Sequence, residues 1–395
     1  MAGHRPRFDR LEFSGSLGDL GTLIPLSVAL ITLTGLNFTA VLGVIGVYYV
    51  ISGLYFRLPI PIQPLKVVAA IAIAFPAKIT LPLMSATALL FGAILIGLWA
   101  TGLIGAIARL FTKPIVRGIQ LGLGLILIQK GLHLFGGTAL LLGSIESSPV
   151  LFGAPLNLIV GVGGAITVLF LLNSRRFPAA LVVVAAGVII GLAAGALRGA
   201  GLSLGPSEVK IYLPGGSDLA LAFWFLVLPQ IPLTIGNAII GTRDAAQNLF
   251  GRGEVTARVT DRRLCLSMGL ANLGIGLLAA VPLCHGAGGL AAHYRFGART
   301  GGSNIMIGIV FLFVALALGQ IGVGLLAAIP RAILGVLLVF AGLELALLIR
   351  DMNQRAELFV SLLIAAVALV TTHMGIAFLI GLAVSLIIKW ARVEI

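Results

Sequence analysis

Val281-Pro-Leu-Cys-His-Gly-Ala-Gly-Gly-Leu290, running on into His293-Tyr-Arg-Phe-Gly-Ala-Arg-Thr-Gly-Gly-Ser303, sets a proline, two histidines and a run of glycines inside an otherwise apolar chain. An ordinary membrane-spanning helix needs none of these. Leu58-Pro-Ile-Pro-Ile-Gln-Pro-Leu-Lys66 in the first half has the same character, with prolines, then polar residues, then an apolar run from Val67 to Phe75 worth about three helical turns. Two interrupted, unusually short segments in corresponding positions of two halves point to a carrier's binding site at the middle of a bilayer.

Composition agrees. Of 395 residues, 59% are hydrophobic and 10% charged, with a mean hydropathy of +1.15, too little polar material to cover a soluble globule. The 52 glycines suit closely packed membrane helices. A net charge of +13 would suggest nucleic acid in a soluble protein, but these cations sit in short clusters between apolar runs and read as topology signals. Cys265 and Cys284 fall in or beside apolar segments and form neither a disulfide framework nor a zinc spacing. Met1 to Arg10 is basic, yet Ser14, Gly15, Ser16, Gly18 and Asp19 spoil the apolar run behind it, so no cleaved signal is expected.

Measured against the roughly 20 residues a spanning helix needs, apolar runs fall near 13–34, 38–56, 63–76, 82–108, 115–132, 155–172 and 179–197. A second set lies near 219–241, 262–281, 284–297, 303–325, 331–349, 356–372 and 374–391. The expected fold is therefore an all-α polytopic membrane protein of 14 segments. Segments 3 and 10 are half-helices preceded by extended stretches at 57–62 and 279–283. Repeats of seven, an odd number, must be inverted relative to each other; they cover 1–205 and 206–395.

Charge checks the count, because each segment added or removed would exchange the sides of all later loops. With the N-terminus inside, the inner loops hold 20 of the 26 Lys and Arg, among them Arg57, Lys113, Arg117, Arg175, Arg176, Arg243, Arg295, Arg299 and Arg392. Lys78, Lys130, Arg198, Lys210 and Arg331 fall outside, and Lys66 lies at membrane depth. Both termini are thus expected in the cytoplasm, with the chain in a bacterial inner (plasma) membrane. The first segment of each repeat is also broken, by Gly18, Asp19 and Pro25 in one and by Pro229 and Pro232 in the other.

Proline lacks an amide hydrogen and suits the first position of a helix. Pro64 would then make Gln63 the cap and put Leu65 and Lys66 in the first turn. That pole carries about half a positive charge and binds anions, so a lysine beside it is misplaced unless an anion is present. Lys66 either supports a bound anion, pairs with Asp19 as a structural ion pair, or extends its stem to the surface. In the second half a helix beginning near His285 would offer the amides of Gly286 and Ala287. Two poles supply roughly one unit of positive charge, enough for a monoanion but not a dianion, and Lys66 would make up the difference.

Gln230, Thr234 and Asn237 recur at i, i+4 and i+7, a polar stripe that faces a ligand or glues helices. Asp19, His285 and Glu344 are candidates for a coupled proton, each with a structural alternative: a cap, a satisfied core histidine, a contact with a neighbouring segment. Arg295 and Arg299 are explained by topology, an exit path being the other reading. A single His-Cys neighbour pair makes no metal site, and neither a cofactor nor a nucleophile with its base is apparent. The chain does not read as an enzyme.

Gly18-Asp-Leu-Gly-Thr22, Pro61-Ile-Gln-Pro-Leu-Lys66, Leu228-Pro-Gln-Ile-Pro-Leu-Thr234 with Gly236-Asn237, and Cys284-His-Gly-Ala-Gly-Gly-Leu290 with Tyr294-Arg-Phe-Gly-Ala-Arg-Thr-Gly-Gly302 together resemble the molybdate transporters of plants, algae and bacteria, relatives of the sulfate permeases. The resemblance covers nearly the whole chain. It implies a core of segments 1–4 and 8–11 moving in an elevator-like way against a gate of 5–7 and 12–14, with substrate between the ends of segments 3 and 10. The sulfate permeases' C-terminal regulatory domain is not expected, which favours the molybdate branch.

The implied function is molybdate import by alternating access. Its partners are the oxyanion, the lipid bilayer and a second copy of the chain, and no nucleic acid. Sulfate or tungstate is the near alternative. A nucleobase carrier would want a carboxylate for a planar ring rather than Lys66, and an anion channel would show neither counterflow nor concentrative uptake.

Overall fold

A computed structural model describes residues 5–141, 148–172, 174, 177–197 and 204–391; Arg175, Arg176, Arg198 and Arg392 lie outside the described residues. Regular structure is nearly all helical. Among the described residues six helices are long and apolar enough to cross a membrane: Phe38–Phe56, Leu81–Thr101, Lys113–Phe135, Gly216–Phe250, Arg331–Asp351 and Met374–Ala391. Counting each bent pair as one span raises this to eight, and Leu156–Leu171 and Ala179–Ala193 are shorter apolar helices. Phe170, Val370 and Trp390 are among the large apolar side chains left exposed. Such a surface is costly in water and suited to lipid.

One broken stretch agrees with the sequence reading and one differs. Arg10–Ser16 and Leu20–Thr34 meet at a 45° bend, so the first segment is broken at Gly18 and Asp19 as its residues suggest. The run 303–325, expected as one segment, divides at Leu318 into Gly302–Ala317 and Gly319–Ala327. Hydropathy does not register the break because both pieces are apolar.

The chain forms two compact units, each from three stretches: Met1–Ile62, Ile128–Lys210 and Gly289–Ala341 in the first, Gln63–Leu127, Ile211–Gly288 and Gly342–Ile395 in the second. In the first unit Phe38–Phe56 packs along Gly302–Ala317. Glycine makes this possible: a Cβ on Gly308 would stand 2.7 Å from the Gly46 carbonyl, and one on Gly46 would stand 2.8 Å from that of Gly308. In the second unit Leu81–Thr101 packs in the same way along Asp261–Leu277, where a Cβ on Gly92 would stand 2.9 Å from the Gly269 carbonyl. Each unit thus pairs the second segment of one half with the fourth of the other.

Two cations of the second unit, Lys113 and Arg117, are held by one acid. Asp351 accepts from Arg117 at 2.9 and 2.5 Å, and its carboxylate lies 3.3 Å from Lys113 Nζ. Because the pair is substantially exposed, Asp351→Asn should cost no more than about 1 kcal/mol at neutral pH. Thermal melts of the two proteins should converge as added salt screens the pair; a difference that persists in high salt would mean the carboxylate charge is not the cause.

Candidate oxyanion site

Pro59, Pro61 and Pro64 deny amide donors to the first extended stretch and keep the residues before them out of the helical region. Within the second unit, the end of this stretch finds its partner in the corresponding stretch of the other half. Gln63–Pro64 pairs antiparallel with Leu283–Cys284, in the register Gln63 opposite Cys284 and Pro64 opposite Leu283. The Leu65 amide extends the pairing by donating to the Pro282 carbonyl at 2.9 Å. A helix of nine residues leaves each strand almost at once, Lys66–Ala74 from one and Ala287–Arg295 from the other. At 1.5 Å per residue each is about 14 Å long, half a bilayer core.

Both helices begin later than expected. Gln63 and Pro64 are engaged as a strand, so Leu65 is the N-cap and Lys66 the first helical residue. The amides after Gln63 are therefore largely used: Pro64 has none, Leu65 serves Pro282, and Val67 donates to Gln230 Oε1 at 2.9 Å. Gln230 Nε2 in turn donates to Thr234 Oγ1 at 2.9 Å. The polar stripe thus caps the first half-helix with a neutral carboxamide. Lys66 itself is half-buried.

The stripe rides on a widened helix. Gly216–Phe250 carries π-helical turns at Phe223–Val227 and Thr234–Gly241, flanking a short α segment that contains Pro229 and Pro232. A proline ring clashes with the carbonyl four residues earlier, and a wider turn relieves it. Next to these turns Thr242 Oγ1 donates to the Asn237 carbonyl, five residues earlier, at 3.3 Å.

At the second half-helix, Gly286 stands against the first stretch. A Cβ there would be 2.7 Å from Gln63 Oε1 and 3.7 Å from Asn237 Nδ2, so two carboxamides converge on this glycine. Ala287 lies beside Gly241 of the widened helix, 3.4 Å from where a Cβ would stand. His285 turns elsewhere: its Nε2 is 3.3 Å from Ser267 Oγ and its amide donates to Met268 Sδ at 3.5 Å, both on Asp261–Leu277.

Gln63, Pro64, Leu65, Lys66, Gln230, Thr234, Asn237, His285, Gly286 and Ala287 all belong to the second unit. Asp19 is buried in the first, and Glu344 is exposed on its helix. A residue absent from the sequence reading is Asn272. Its Oδ1 accepts the Leu283 amide at 2.9 Å, and its Nδ2 donates to the Leu283 and Met268 carbonyls at 2.7 and 2.8 Å. It pins the second strand to Asp261–Leu277. The signal available was a single asparagine in the run from Cys265 to Leu278.

Gly286→Ala is a direct probe of the convergence. The added methyl must displace the Gln63 carboxamide, a flexible group, so the fold should survive with a stability change within about 1 kcal/mol. Oxyanion affinity should fall about tenfold or more. Calorimetry alongside thermal melts would decide, and unchanged affinity would remove this corner from the site.

The family described as "Molybdate transporter of MFS superfamily" matches residues 11–127 and 222–345. Molybdate transporter 2 of Arabidopsis thaliana is 33% identical over 96% of this chain and 87% of that protein. Two solved structures share the fold. The murine Slc26a9 anion transporter aligns with a TM-score of 0.70 at 15% identity, over 98% of this chain and 69% of that one. The transmembrane domain of the cyanobacterial bicarbonate transporter BicA gives 0.64 at 15%, over 95% and 96%. The chain thus shares the fold of these two transporters. The chain is a transport protein rather than an enzyme, and it belongs to the molybdate transporter family.

Proposed function

We propose that the chain imports molybdate by alternating access, the tetrahedral dianion being held where the two half-helices begin. One observation carries this reading: the antiparallel pairing of Gln63–Pro64 with Leu283–Cys284, which sets two short helices starting from a common bridge. Helix N-termini attract anions, and Lys66 supplies the charge that two poles lack against a dianion. With the Leu65 and Val67 amides engaged, the ligand is met by Lys66, by the carboxamides of Gln63 and Asn237, and by the backbone from Gly286 to Ala287. Gln230 and Thr234 support the first pole. Asp19, His285 and Glu344 remain the proton candidates drawn from the sequence. The membership of the family and the relative named for molybdate favour that anion over sulfate or tungstate.

Fourteen segments in two inverted repeats, 1–205 and 206–395, are part of the same proposal. Its support is internal: each half has a broken first segment and a nine-residue half-helix after an extended stretch. The reciprocal pairing of second and fourth segments also follows from inversion. An elevator-like motion of segments 1–4 and 8–11 against 5–7 and 12–14, and a homodimer, extend it. Cytoplasmic termini rest on the distribution of Lys and Arg. The compared relative is a plant protein and gives the bacterial inner membrane no support.

Reconstituted vesicles provide the test. A carrier loaded with unlabelled molybdate should accumulate labelled molybdate by counterflow and saturate. Linear uptake without counterflow would make the protein a channel.

A further inference from the structure

We propose that His293 is the proton-binding group of the transport cycle, acting through the extended stretch that leads into the oxyanion site. The inference rests on that site's reading. His293 lies on the second half-helix, eight residues after His285, and takes no part in the oxyanion site. Its imidazole is fully buried in the first unit, on the second half-helix. Nδ1 lies 3.0 Å from the Pro59 carbonyl. A carbonyl only accepts, so Nδ1 carries the hydrogen and Nε2 of the neutral ring presents a lone pair. That Nε2 is buried and has no hydrogen-bond partner among the described residues.

Three backbone groups of one stretch are held by side chains of this unit. Pro59 is held by His293, Ile60 by Asn304 Nδ2 at 2.6 Å, and the Ile62 amide by the Tyr49 hydroxyl. Only His293 among these three side chains changes charge between pH 5 and 8 in its ordinary range. The ring faces Tyr49, with centroids 6.3 Å apart, and Tyr49 lies within the electrostatic reach of Asp19. The other ionisable groups of the elements around it are Arg57 on the stretch, Tyr294, Arg295 and Arg299 on its own helix and the loop after it, and Glu12 on the N-terminal helix.

The neutral ring fits this arrangement. A proton arriving from water on the open side would take the Nε2 lone pair and create a buried cationic donor with nothing to accept it. A buried unsatisfied charge is expensive, so protonation favours a rearranged state in which Nε2–H finds an acceptor. Return of the proton to water on the other side restores the neutral ring. One proton then moves with each anion and offsets one of its two charges. Pro59 is four residues from Gln63, so a change at His293 reaches the oxyanion site along the backbone.

The experiment uses the full-length protein in vesicles with an internal pH dye. Wild type should admit protons together with molybdate, and an acid exterior should accelerate uptake. His293→Gln keeps a donor for Pro59 but does not titrate. It should lose both effects, while counterflow and calorimetric affinity stay within about threefold of wild type. Proton entry that persists in His293→Gln would overturn the assignment. Wild type alone gives a second measurement: purified protein in weak buffer should take up or release protons when molybdate binds, and no proton exchange there would overturn it without any variant. A wild type that does not bind molybdate at all would instead sink the oxyanion reading beneath it.

Discussion

Lys66→Ala is expected to weaken molybdate binding by about 100-fold, or about 2.7 kcal/mol, while Lys78→Ala changes it less than about threefold. The contrast comes from placement. Lys66 is the first residue of the half-helix and is half-buried; Lys78 is exposed beyond the other end, over the Phe75 ring. One charge facing another at about 4 Å is worth about 4 kcal/mol at the effective dielectric of a protein surface, and desolvation of the ammonium and the anion removes part of that. With two of the first amides engaged by Pro282 and Gln230, the ammonium is the strongest remaining attraction at this pole. Stability should move the other way. A cation at a helix N-terminus opposes the dipole, so the ligand-free Lys66→Ala protein should melt at or above the wild-type temperature. Equal affinities in the two alanine variants would take Lys66 out of the site.

Asn272→Leu should be the most damaging change outside the ligand's reach, with a loss of about 3 kcal/mol. The carboxamide makes three buried hydrogen bonds, two of them to Leu283. Leucine leaves the Leu283 amide and carbonyl in an apolar interior, where each unsatisfied group costs about 1–3 kcal/mol. Because Leu283 is opposite Pro64 in the strand pair, molybdate affinity should fall with stability. Ser267→Ala on the same helix is the control: it touches His285 rather than the strand. A melting temperature for Asn272→Leu equal to that of Ser267→Ala would mean the strand is held by something else.

Much of this arrangement is legible in the residues because proline and glycine act locally. Pro59, Pro61 and Pro64, three prolines within six residues, remove amide donors and hold the residues before them out of the helical region, and a nine-residue helix follows each extended stretch. The break at Gly18 and Asp19 is of the same kind. What escaped is long-range or lacks contrast. Nothing near Gln63 announces Cys284 as its strand partner, so the cap was placed two residues early. The π turns around Pro229 and Pro232 require knowing that the helix continues through them. In a membrane protein the lipid face and the packed face are both apolar, so periodicity does not separate them. For that reason the sequence does not show that Glu344, a proton candidate, is exposed on its helix, nor that the run 303–325 divides at Leu318. Asn272 and His293 were visible as residues, but their roles depend on backbone carbonyls that only the folded chain brings near.

Whether an oxyanion binds where the two half-helices begin is decided by calorimetry on the purified protein, with molybdate, tungstate, sulfate and uracil titrated side by side. Tight molybdate binding with sulfate at least about tenfold weaker is the predicted result. Sulfate binding equal to molybdate would widen the substrate to oxyanions in general, and binding of uracil alone would contradict the account.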